Sequence, residues 1–362
     1  MIKMLVAATA ASALLTGCAG AATPSTPASV AACTVPPAAN LATSEGWIGF
    51  AAAHKESVAF SFDDGRGTVA SHRADRDQPL ASAVKVVHLA AYAQAVTAGT
   101  LDPDEQIPII DWQRWYAPGT DGGAHIAALD RLGIANDGTS PLDPAATVRL
   151  DDMVTAMVRE SDNGVPDYLR HRLGDDSLRK AAAAGGWRDF DPPTLVGTAL
   201  GALDARVDTD RLWNLAEDFA FDMQFRASFG VDAPQRDESD LFGYFDTVGP
   251  RGSASELTAF YTSIADGSFG PGVDIVRRQL EHQQPPEGFV AMGFKGGNLP
   301  GILTNAFEFR RADGSPAVAV WLNRELTEPQ YRSALENLRD HQALLLEAVA
   351  DPATLERLAC VS

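Results

Sequence analysis

Pro79-Leu80-Ala81-Ser82-Ala83-Val84-Lys85-Val86 places a serine hydroxyl and a lysine amine three residues apart, where an apolar helix begins. The helical pattern recurs at spacings of three and four, at Val84, Val87, His88, Ala91 and Ala95. Gly99 ends it, so the sequence predicts a helix over Ala81–Ala98. Residues three apart share a helix face, and we therefore expect the Lys85 amine to reach the Ser82 oxygen. A lysine whose pKa is lowered by burial can take the serine proton and make the serine a nucleophile.

The Ser-x-x-Lys spacing alone has little specificity, because Ser177-Leu178-Arg179-Lys180 repeats it on what reads as a solvent-exposed helix face. Two further motifs accompany Ser82. Ser161-Asp162-Asn163 directly follows a periodic helix over Leu150–Val158. Phe294-Lys295-Gly296-Gly297 stands at the end of an apolar run typical of a strand. Together the motifs supply a hydroxyl, an amide and a second amine for acid–base chemistry.

The three motifs, in this order, resemble those of the penicillin-recognising serine hydrolases, and the chain is most similar to the class A β-lactamase-like branch from about Ala42 to Leu346. The resemblance implies that Ser82 attacks a carbonyl and becomes acylated, with Lys85 as its base or proton relay. It also implies that Ser161 passes a proton towards the leaving nitrogen. Lys295 would then provide positive charge for a substrate carboxylate.

The same resemblance implies how the substrate is held. The Asn163 side-chain amide would bind an amide of the substrate, while Asp162 would hold its own loop. The backbone N–H groups of Ser82 and Asn298 would stabilise the negative charge on the carbonyl oxygen, and Gly297 would allow the close approach that this needs.

The sequence departs from the family in two places. Gly296 stands where the family has a threonine or serine hydroxyl, and the loss of a charged hydrogen bond to substrate would cost roughly 1.5 to 3 kcal/mol. The Glu-x-x-Leu-Asn segment that activates the deacylating water in class A enzymes is absent between Gly164 and Leu215. Asp189 and Asp191 are the nearest carboxylates in the sequence, and a turn or helix-cap role is the alternative for both.

Strands near both ends and helices between them predict an α+β fold. The strands are expected at Ser57–Phe62, Thr68–Ser71, Phe289–Lys295, Leu303–Arg310 and Ala317–Leu322, with a helical lobe from Ser82 to about Gly267. Helices are expected at both ends, over Ala42–Ala53 and, after an N-cap at Thr327, over Gln330–Val349. The resemblance implies a β-lactamase/transpeptidase-like antiparallel sheet flanked by the terminal helices, with an all-helical lobe and the site in the crevice between the lobes.

The N-terminus has the pattern of an exported lipoprotein. Lys3 is followed by an apolar stretch over Met4–Leu15 and then by Leu15-Thr16-Gly17-Cys18, which resembles a lipobox. We expect residues 1–17 to be a signal peptide, Cys18 to carry lipid, residues 18–40 to be a flexible tether and residues 41–362 to form the hydrolase domain. The chain would be anchored to the membrane at the cell envelope. An ordinary secretory signal is the alternative.

Cysteine count and charge limit the partners. If Cys18 is lipidated, Cys33 and Cys360 remain as an even pair in an oxidising compartment, so we predict a disulfide, with two free thiols as the alternative. The net charge of −19 argues against nucleic acid as a partner. None of the 7 histidines has the spacing of a zinc site, and we expect a monomer without a metal or an organic cofactor.

These observations predict a serine acyl-hydrolase that opens β-lactam rings through a Ser82 acyl-enzyme, with slow turnover. Its partner would be a small β-lactam or a peptidoglycan peptide. A D-alanyl-D-alanine peptidase or esterase of the penicillin-binding type is the first alternative. A non-catalytic lipoprotein that binds peptidoglycan is the second.

Overall fold

The computed structural model of the chain describes residues 33, 35–37, 40–234 and 236–361. The predicted signal peptide, the predicted lipidation site Cys18 and most of the predicted tether lie outside these residues. Residues 34–362 group into one compact unit. No helix in the described part of the chain has both the length and the apolar character that crossing a bilayer requires.

The described residues contain nine strands, which form one central sheet and two small ladders. The strands are Val58–Asp63 (β1), Val69–His72 (β2), Gln78–Pro79 (β3), Gln106–Pro108 (β4), Thr147–Arg149 (β5), Arg251–Gly252 (β6), Ala291–Leu299 (β7), Ile302–Arg310 (β8) and Pro316–Asn323 (β9). The central sheet has the order β2-β1-β9-β8-β7, and all its neighbours are antiparallel. β3 pairs with β6 and β4 pairs with β5. β7 is therefore an edge strand of the central sheet.

Sixteen α-helices account for most of the remaining described chain. They are Ser44–Ala53 (α1), Lys85–Thr97 (α2), Ile109–Gln113 (α3), Ala124–Arg131 (α4), Leu150–Arg159 (α5), Gly164–Leu173 (α6), Asp175–Ala184 (α7), Leu195–Leu203 (α8), Leu212–Phe221 (α9), Met223–Ser228 (α10), Glu238–Thr247 (α11), Ala254–Asp266 (α12), Val273–Leu280 (α13), Glu328–Glu336 (α14), Leu338–Ala350 (α15) and Pro352–Ala359 (α16). Helices α2 to α13 form the helical lobe, and α1 and α14 to α16 are the terminal helices. The predicted α+β class is confirmed.

The alternation of side chains along β9 shows how the sheet separates two cores. Val318, Val320 and Leu322 pack into a core shared with the helical lobe, whereas Ala317, Ala319 and Trp321 pack into a second core with the terminal helices. Successive strand residues point to opposite faces of a sheet, and here both sets are buried. The sheet is thus covered on both sides, and α2 lies inside the first core.

The predicted C-terminal helix over Gln330–Val349 is wrong as a single element, because the structure has two helices there, α14 and α15, and a third, α16, after them. Asn337 ends α14 and also precedes α15, with φ −112° and ψ 30°, and its side chain donates to Ser333 O instead of continuing the helix. Pro352 then opens α16, where proline has no penalty for its missing N–H. Thr327 is the N-cap of α14, as expected, and takes part in a capping box with Gln330.

The predicted helix over Ala81–Ala98 begins with a different local structure. Residues Ala81–Val84 form a 3₁₀ turn, and the α-helix begins only at Lys85. Ala81 has φ +48°, a left-handed conformation that is unfavourable for a residue with a Cβ. Ser82 therefore lies in a tight turn before the helix.

Cys360, the C-cap of α16, is disulfide-bonded in the structure, and so is Cys33. The pairing of these two cysteines with each other stays a prediction.

Candidate active site

β7 passes against the turn that carries Ser82. A Cβ atom at Gly297 would lie 2.4 Å from Ser82 N and 2.7 Å from Leu80 O, which is closer than real Cβ contacts allow. Only glycine permits this approach, because both obstructing atoms belong to the backbone. The edge of the sheet is thus held directly against the half-buried Ser82.

The amine of Lys85 is buried and reaches across to the Ser161–Asn163 segment. Lys85 Nζ donates to Ser161 O at 2.6 Å, to Ser161 Oγ at 3.1 Å and to Asn163 Oδ1 at 2.6 Å. Asn163 Oδ1 is thereby occupied, so the NH₂ half of this amide is the part left to bind a substrate carbonyl.

Lys85 Nζ makes no hydrogen bond to Ser82 among the described residues, and the role of this amine as the base for Ser82 stays a prediction. Ser82 lies in the 3₁₀ turn and Lys85 opens the following α-helix, so the two residues belong to different elements. The three hydrogens of the Lys85 ammonium group match its three acceptors on Ser161 and Asn163. A proton leaving Ser82 therefore has to reach an amine that is already engaged with Ser161.

Ser161 connects the two lysines. Its Oγ accepts from Lys85 Nζ at 3.1 Å and from Lys295 Nζ at 2.9 Å, and Lys295 also donates to Gly296 O at 2.8 Å. Ser161 has φ +68°, a strained conformation for a serine. In this conformation both the carbonyl oxygen and the hydroxyl oxygen of Ser161 face the Lys85 amine. The structure thus brings Lys85, Ser161 and Lys295 into one hydrogen-bonded chain beside Ser82.

Burial controls the charge of this chain. It lowers the pKa of Lys85 to about 7, although the carboxylates of Asp162, Asp121 and Asp167 oppose that shift. Burial also lowers the pKa of Lys295 far below its usual range, and the neighbouring Lys85 charge adds to the effect. Near neutral pH, one amine of the pair can therefore hold a proton while the other accepts one.

Asp162 acts within its own loop, as predicted, and its main partner was not anticipated. The buried Asp162 carboxylate accepts from Trp112 Nε1 at 3.1 Å and from Val165 N at 2.8 Å, and it pairs with His125 Nδ1 at 2.7 Å. His125 Nε2 contacts Gln113 Oε1 at 2.9 Å. Sequence reasoning assigned no role to His125, because its contacts depend on how the loop before α4 folds back onto α3.

The cleft at Ser82 consists of two adjoining hollows, and Ser82, Ser161 and Asn298 line both. The first, here called the helical-side hollow, is also lined by residues of the helical lobe and of α14, including Asp121, Glu160, Asn163, Leu195, Thr198, Ala199 and Tyr331. The second, here called the sheet-side hollow, is also lined by Arg159, His282, Lys295, Gly296, Thr304 and Asn305. A ligand at Ser82 can therefore extend in two directions.

The side of the cleft formed by α8 carries no carboxylate. Leu195, Thr198 and Ala199 supply its lining. Asp191 is solvent-exposed and lies 3.9 Å from Arg179, and Asp189 is exposed as well. Neither lines the helical-side hollow, so their nearness in sequence does not place them in the cleft.

A buried carboxylate holds the start of α8 in place. Asp167 accepts from Thr194 Oγ1 at 2.7 Å, from Leu195 N at 3.0 Å and from Val196 N at 2.8 Å. Burial raises the pKa of Asp167 to about 6, and these three hydrogen bonds oppose the shift. Asp167 thus satisfies backbone donors that an N-terminal helix turn leaves unpaired. It also fixes Leu195 against the cleft.

The packing around Gly296 explains why no hydroxyl occurs there. A Cβ at this position would lie 2.8 Å from Phe294 Cζ and 2.9 Å from Asn305 Oδ1. The Phe294 ring and the Asn305 amide occupy the space that a serine or threonine would need. Next along β7, Asn298 Oδ1 accepts from the Tyr331 hydroxyl at 3.1 Å, which connects α14 to the cleft.

Within the described residues, no group of three or more His, Cys, Asp or Glu side chains is arranged so that it could hold a metal ion.

A sequence model of the β-lactamase enzyme family matches residues 48–205 of this chain. The fold is similar to that of a β-lactamase from Sphaerobacter thermophilus, with 18% identity, 84% of this chain and 94% of the other covered, and a TM-score of 0.54. It is also similar to a mutant of the chromosome-encoded β-lactamase of Vibrio parahaemolyticus, with 13% identity, 82% and 97% covered, and a TM-score of 0.50. No curated protein sequence matches the chain. These comparisons confirm a β-lactamase/transpeptidase-like fold.

Proposed function

We propose that this chain, which has a β-lactamase-like fold and matches a β-lactamase family model over residues 48–205, opens β-lactam rings through an acyl-enzyme on Ser82 that hydrolyses slowly. The observation that carries the proposal is that Ser161 Oγ accepts hydrogen bonds from two buried amines, those of Lys85 and Lys295, beside the half-buried Ser82. This arrangement supports acid–base chemistry on both sides of an acyl-transfer step.

In the proposed acylation, Ser82 Oγ forms a bond to the carbonyl carbon and the carbon–nitrogen bond of the ring breaks. The proton of Ser82 passes to the neutral amine of Lys85, by direct transfer or through one water. Ser161 Oγ gives its proton to the leaving nitrogen and receives one from the lysine pair, so that proton number is conserved. The backbone N–H groups of Ser82 and Asn298 would stabilise the oxyanion, since Gly297 brings this part of β7 against the Ser82 turn.

The lining from α8 supports slow deacylation. Ester hydrolysis needs a base that takes a proton from the attacking water, and such a base typically contributes a factor of about 10² to 10⁴. Leu195, Thr198 and Ala199 offer no such base on their side of the cleft. The ester on Ser82 would therefore persist for longer than it takes to form.

Arg159 supports binding of a substrate carboxylate in the sheet-side hollow. It is exposed, lines this hollow with Lys295 and makes no ion pair with any residue that the structure describes. Its guanidinium can bind a carboxylate through two parallel N–H groups. We propose that it replaces part of the binding that Gly296 cannot provide.

Intact-mass spectrometry after incubation with benzylpenicillin tests the proposal. We expect a stoichiometric adduct in which the whole antibiotic has been added, located on the peptide that contains Ser82, and no adduct in Ser82→Ala. The adduct should decay over minutes or longer, with the hydrolysed drug appearing at the same rate. No adduct and no hydrolysis would refute the acyl-enzyme, whereas hydrolysis of many equivalents per second would refute slow deacylation.

The same lining favours a second candidate, a D-alanyl-D-alanine peptidase or esterase. A site without a strong deacylating base is inhibited by β-lactams while still acting on peptides or esters with better access for water. Release of D-alanine from a D-alanyl-D-alanine peptide, lost in Ser82→Ala, would support this reading. If no D-alanine is released and benzylpenicillin is hydrolysed slowly, the result would favour the β-lactamase function over the peptidase.

We also propose that the protein is exported and lipid-anchored through Cys18. This rests on the sequence pattern of residues 1–18. Metabolic labelling with a fatty acid, with Cys18→Ser as the control, tests it. Equal labelling of both proteins, or of neither, would refute the anchor.

A further inference from the structure

Asp121 contributes a carboxylate to the helical-side hollow, on the same side as Asn163. It lies in the loop that leads into α4 and is only partly accessible to solvent. Its Oδ1 accepts from Gly123 N at 3.0 Å, and its Oδ2 accepts from His125 N at 2.8 Å. These backbone donors fix the orientation of the carboxylate without neutralising it.

Glu160 supplies the other carboxylate of the helical-side hollow, and unlike Asp121 it has an arginine partner. Glu160 accepts two hydrogen bonds from Arg131, at 2.7 Å and 3.0 Å, and its charge is compensated. Asp121 forms no ion pair with a Lys, Arg or His side chain of the described residues. It is therefore the acid without an ion-pair partner among the described residues that line the helical-side hollow.

Partial burial makes the negative charge of Asp121 costly. Burial raises the pKa of Asp121, and the nearby Asp162 carboxylate adds to the shift, while the N–H groups of His125 and Gly123 oppose it. The charge also raises the pKa of Lys85, which shows that its field reaches the reacting groups. A cation bound at Asp121 would offset the cost of keeping this carboxylate charged.

The two hollows define the orientation of a ligand. Under the proposed function, the carboxylate of the acyl donor lies in the sheet-side hollow near Lys295 and Arg159, with the scissile carbonyl at Ser82. The acyl side chain then enters the helical-side hollow, where the Asn163 amide and the Asp121 carboxylate are found. The charges of the cleft thus form a dipole across Ser82.

We propose that Asp121 binds an ammonium group on the acyl side chain, so that the preferred acyl donors are zwitterionic, with a cation on the acyl side and a carboxylate on the leaving side. This inference rests on the proposed function. Asp121 would act as a specificity residue, with its carboxylate accepting charge-assisted hydrogen bonds from the ammonium group.

Ampicillin and benzylpenicillin test the proposal, because ampicillin differs from benzylpenicillin by one amino group on the acyl side chain. The second-order rate constant of acylation is measured for both at a pH where this amine is protonated. We expect the wild-type protein to prefer ampicillin by about fivefold to tenfold, the size of an ordinary net hydrogen-bond contribution, because solvent screens a partly exposed charge pair. Asp121→Asn should reduce this preference to about one, and the ratio of the two rates within each variant is the readout, because removing this charge also changes the Lys85 pKa and therefore both rates.

Glu160→Gln is the matched control. It removes a carboxylate from the same hollow, but one whose charge Arg131 already compensates. It should retain the wild-type preference. An unchanged preference in Asp121→Asn, or an equal loss of preference in both variants, would overturn the proposal. If benzylpenicillin and ampicillin both fail to acylate the wild-type protein, the proposed function fails instead. Thermal melting of each variant identifies any that do not fold.

Discussion

At the scale of single residues, the protonation of Lys85 determines when Ser82 can react. Only the neutral amine can take a proton, and burial lowers the Lys85 pKa to about 7. We therefore expect the acylation rate to rise roughly tenfold per pH unit below about pH 7 and to level off above it. Stopped-flow acylation by a chromogenic cephalosporin between pH 5 and pH 9 measures this profile. A rate that is independent of pH across this range would contradict the role of Lys85.

Glu308 on β8 is a buried carboxyl group that makes no hydrogen bond to Lys85, Ser161 or Lys295. Burial, together with the neighbouring Glu281 carboxylate, raises its pKa to about 8 from a usual value of 4.5, although Arg310 and Arg277 oppose the shift. The folded protein therefore keeps a proton that the unfolded chain has lost, and stability should fall as the pH rises from about 4.5 to about 8.

Glu308→Gln removes this titration while nearly preserving the shape of the side chain. We expect the melting temperature of the variant, relative to that of the wild type, to rise by roughly 5 °C between pH 5 and pH 8. The exposed Glu287→Gln is the control and should show no such relative change. A constant difference between Glu308→Gln and wild type at all pH values would show that Glu308 does not titrate in this range.

At the scale of elements, the position of β7 against the Ser82 turn depends on one glycine. Gly297→Ala would place a Cβ 2.4 Å from Ser82 N and 2.7 Å from Leu80 O, and backbone atoms cannot move aside cheaply. We expect acylation to slow by about 100-fold, the effect of losing one oxyanion donor.

Gly296→Ala is the matched control for Gly297→Ala, because its nearest obstacles are the ends of the Phe294 and Asn305 side chains. We expect its acylation rate to stay within about tenfold of wild type, since both side chains can adjust. Equal loss in the two variants would show that the sheet edge as a whole, and not the approach at Gly297, determines the rate. Circular dichroism and melting curves confirm that each variant is folded.

The first turn of α8 offers a test of slow deacylation. Leu195 lines the helical-side hollow, and Asp167 holds its backbone in place. Leu195→Glu would introduce a carboxylate next to the acyl ester, and we expect deacylation to become at least tenfold faster. Leu195→Gln matches its size without a base and should leave the adduct lifetime near that of the wild type. Equal lifetimes for the Glu and Gln variants would contradict the prediction.

At the scale of the whole molecule, the parts that sequence could predict are those set by local pattern. The alternation along β9 and the helical periodicity after Ser82 follow from burial on one or both faces, and the structure contains both elements. The motif around Ser161 also lies close to Lys85, as the resemblance implied. These features depend on residues near one another in the chain or on a shared family pattern.

The parts that sequence could not predict depend on tertiary placement. Asp121 lines the helical-side hollow from a loop, and Asp167 supports α8 from a neighbouring helix, and no periodic pattern specifies the orientation of either. The 3₁₀ turn at Ser82 depends on the contact with Gly297, more than 200 residues away in sequence. The break at Asn337 likewise interrupts a stretch in which apolar residues continue from Tyr331 to Ala348.

The net charge of the chain also affects how ligands arrive. A charge of −19 repels an anion such as benzylpenicillin before it reaches Arg159 and Lys295, and added salt screens this repulsion. We therefore expect the second-order rate of benzylpenicillin acylation to rise about twofold to threefold between 20 mM and 300 mM NaCl. The rate with zwitterionic ampicillin should change less, because its net charge is near zero. A benzylpenicillin rate that falls with salt would show that the local cations of the sheet-side hollow, and not the overall charge, govern the encounter.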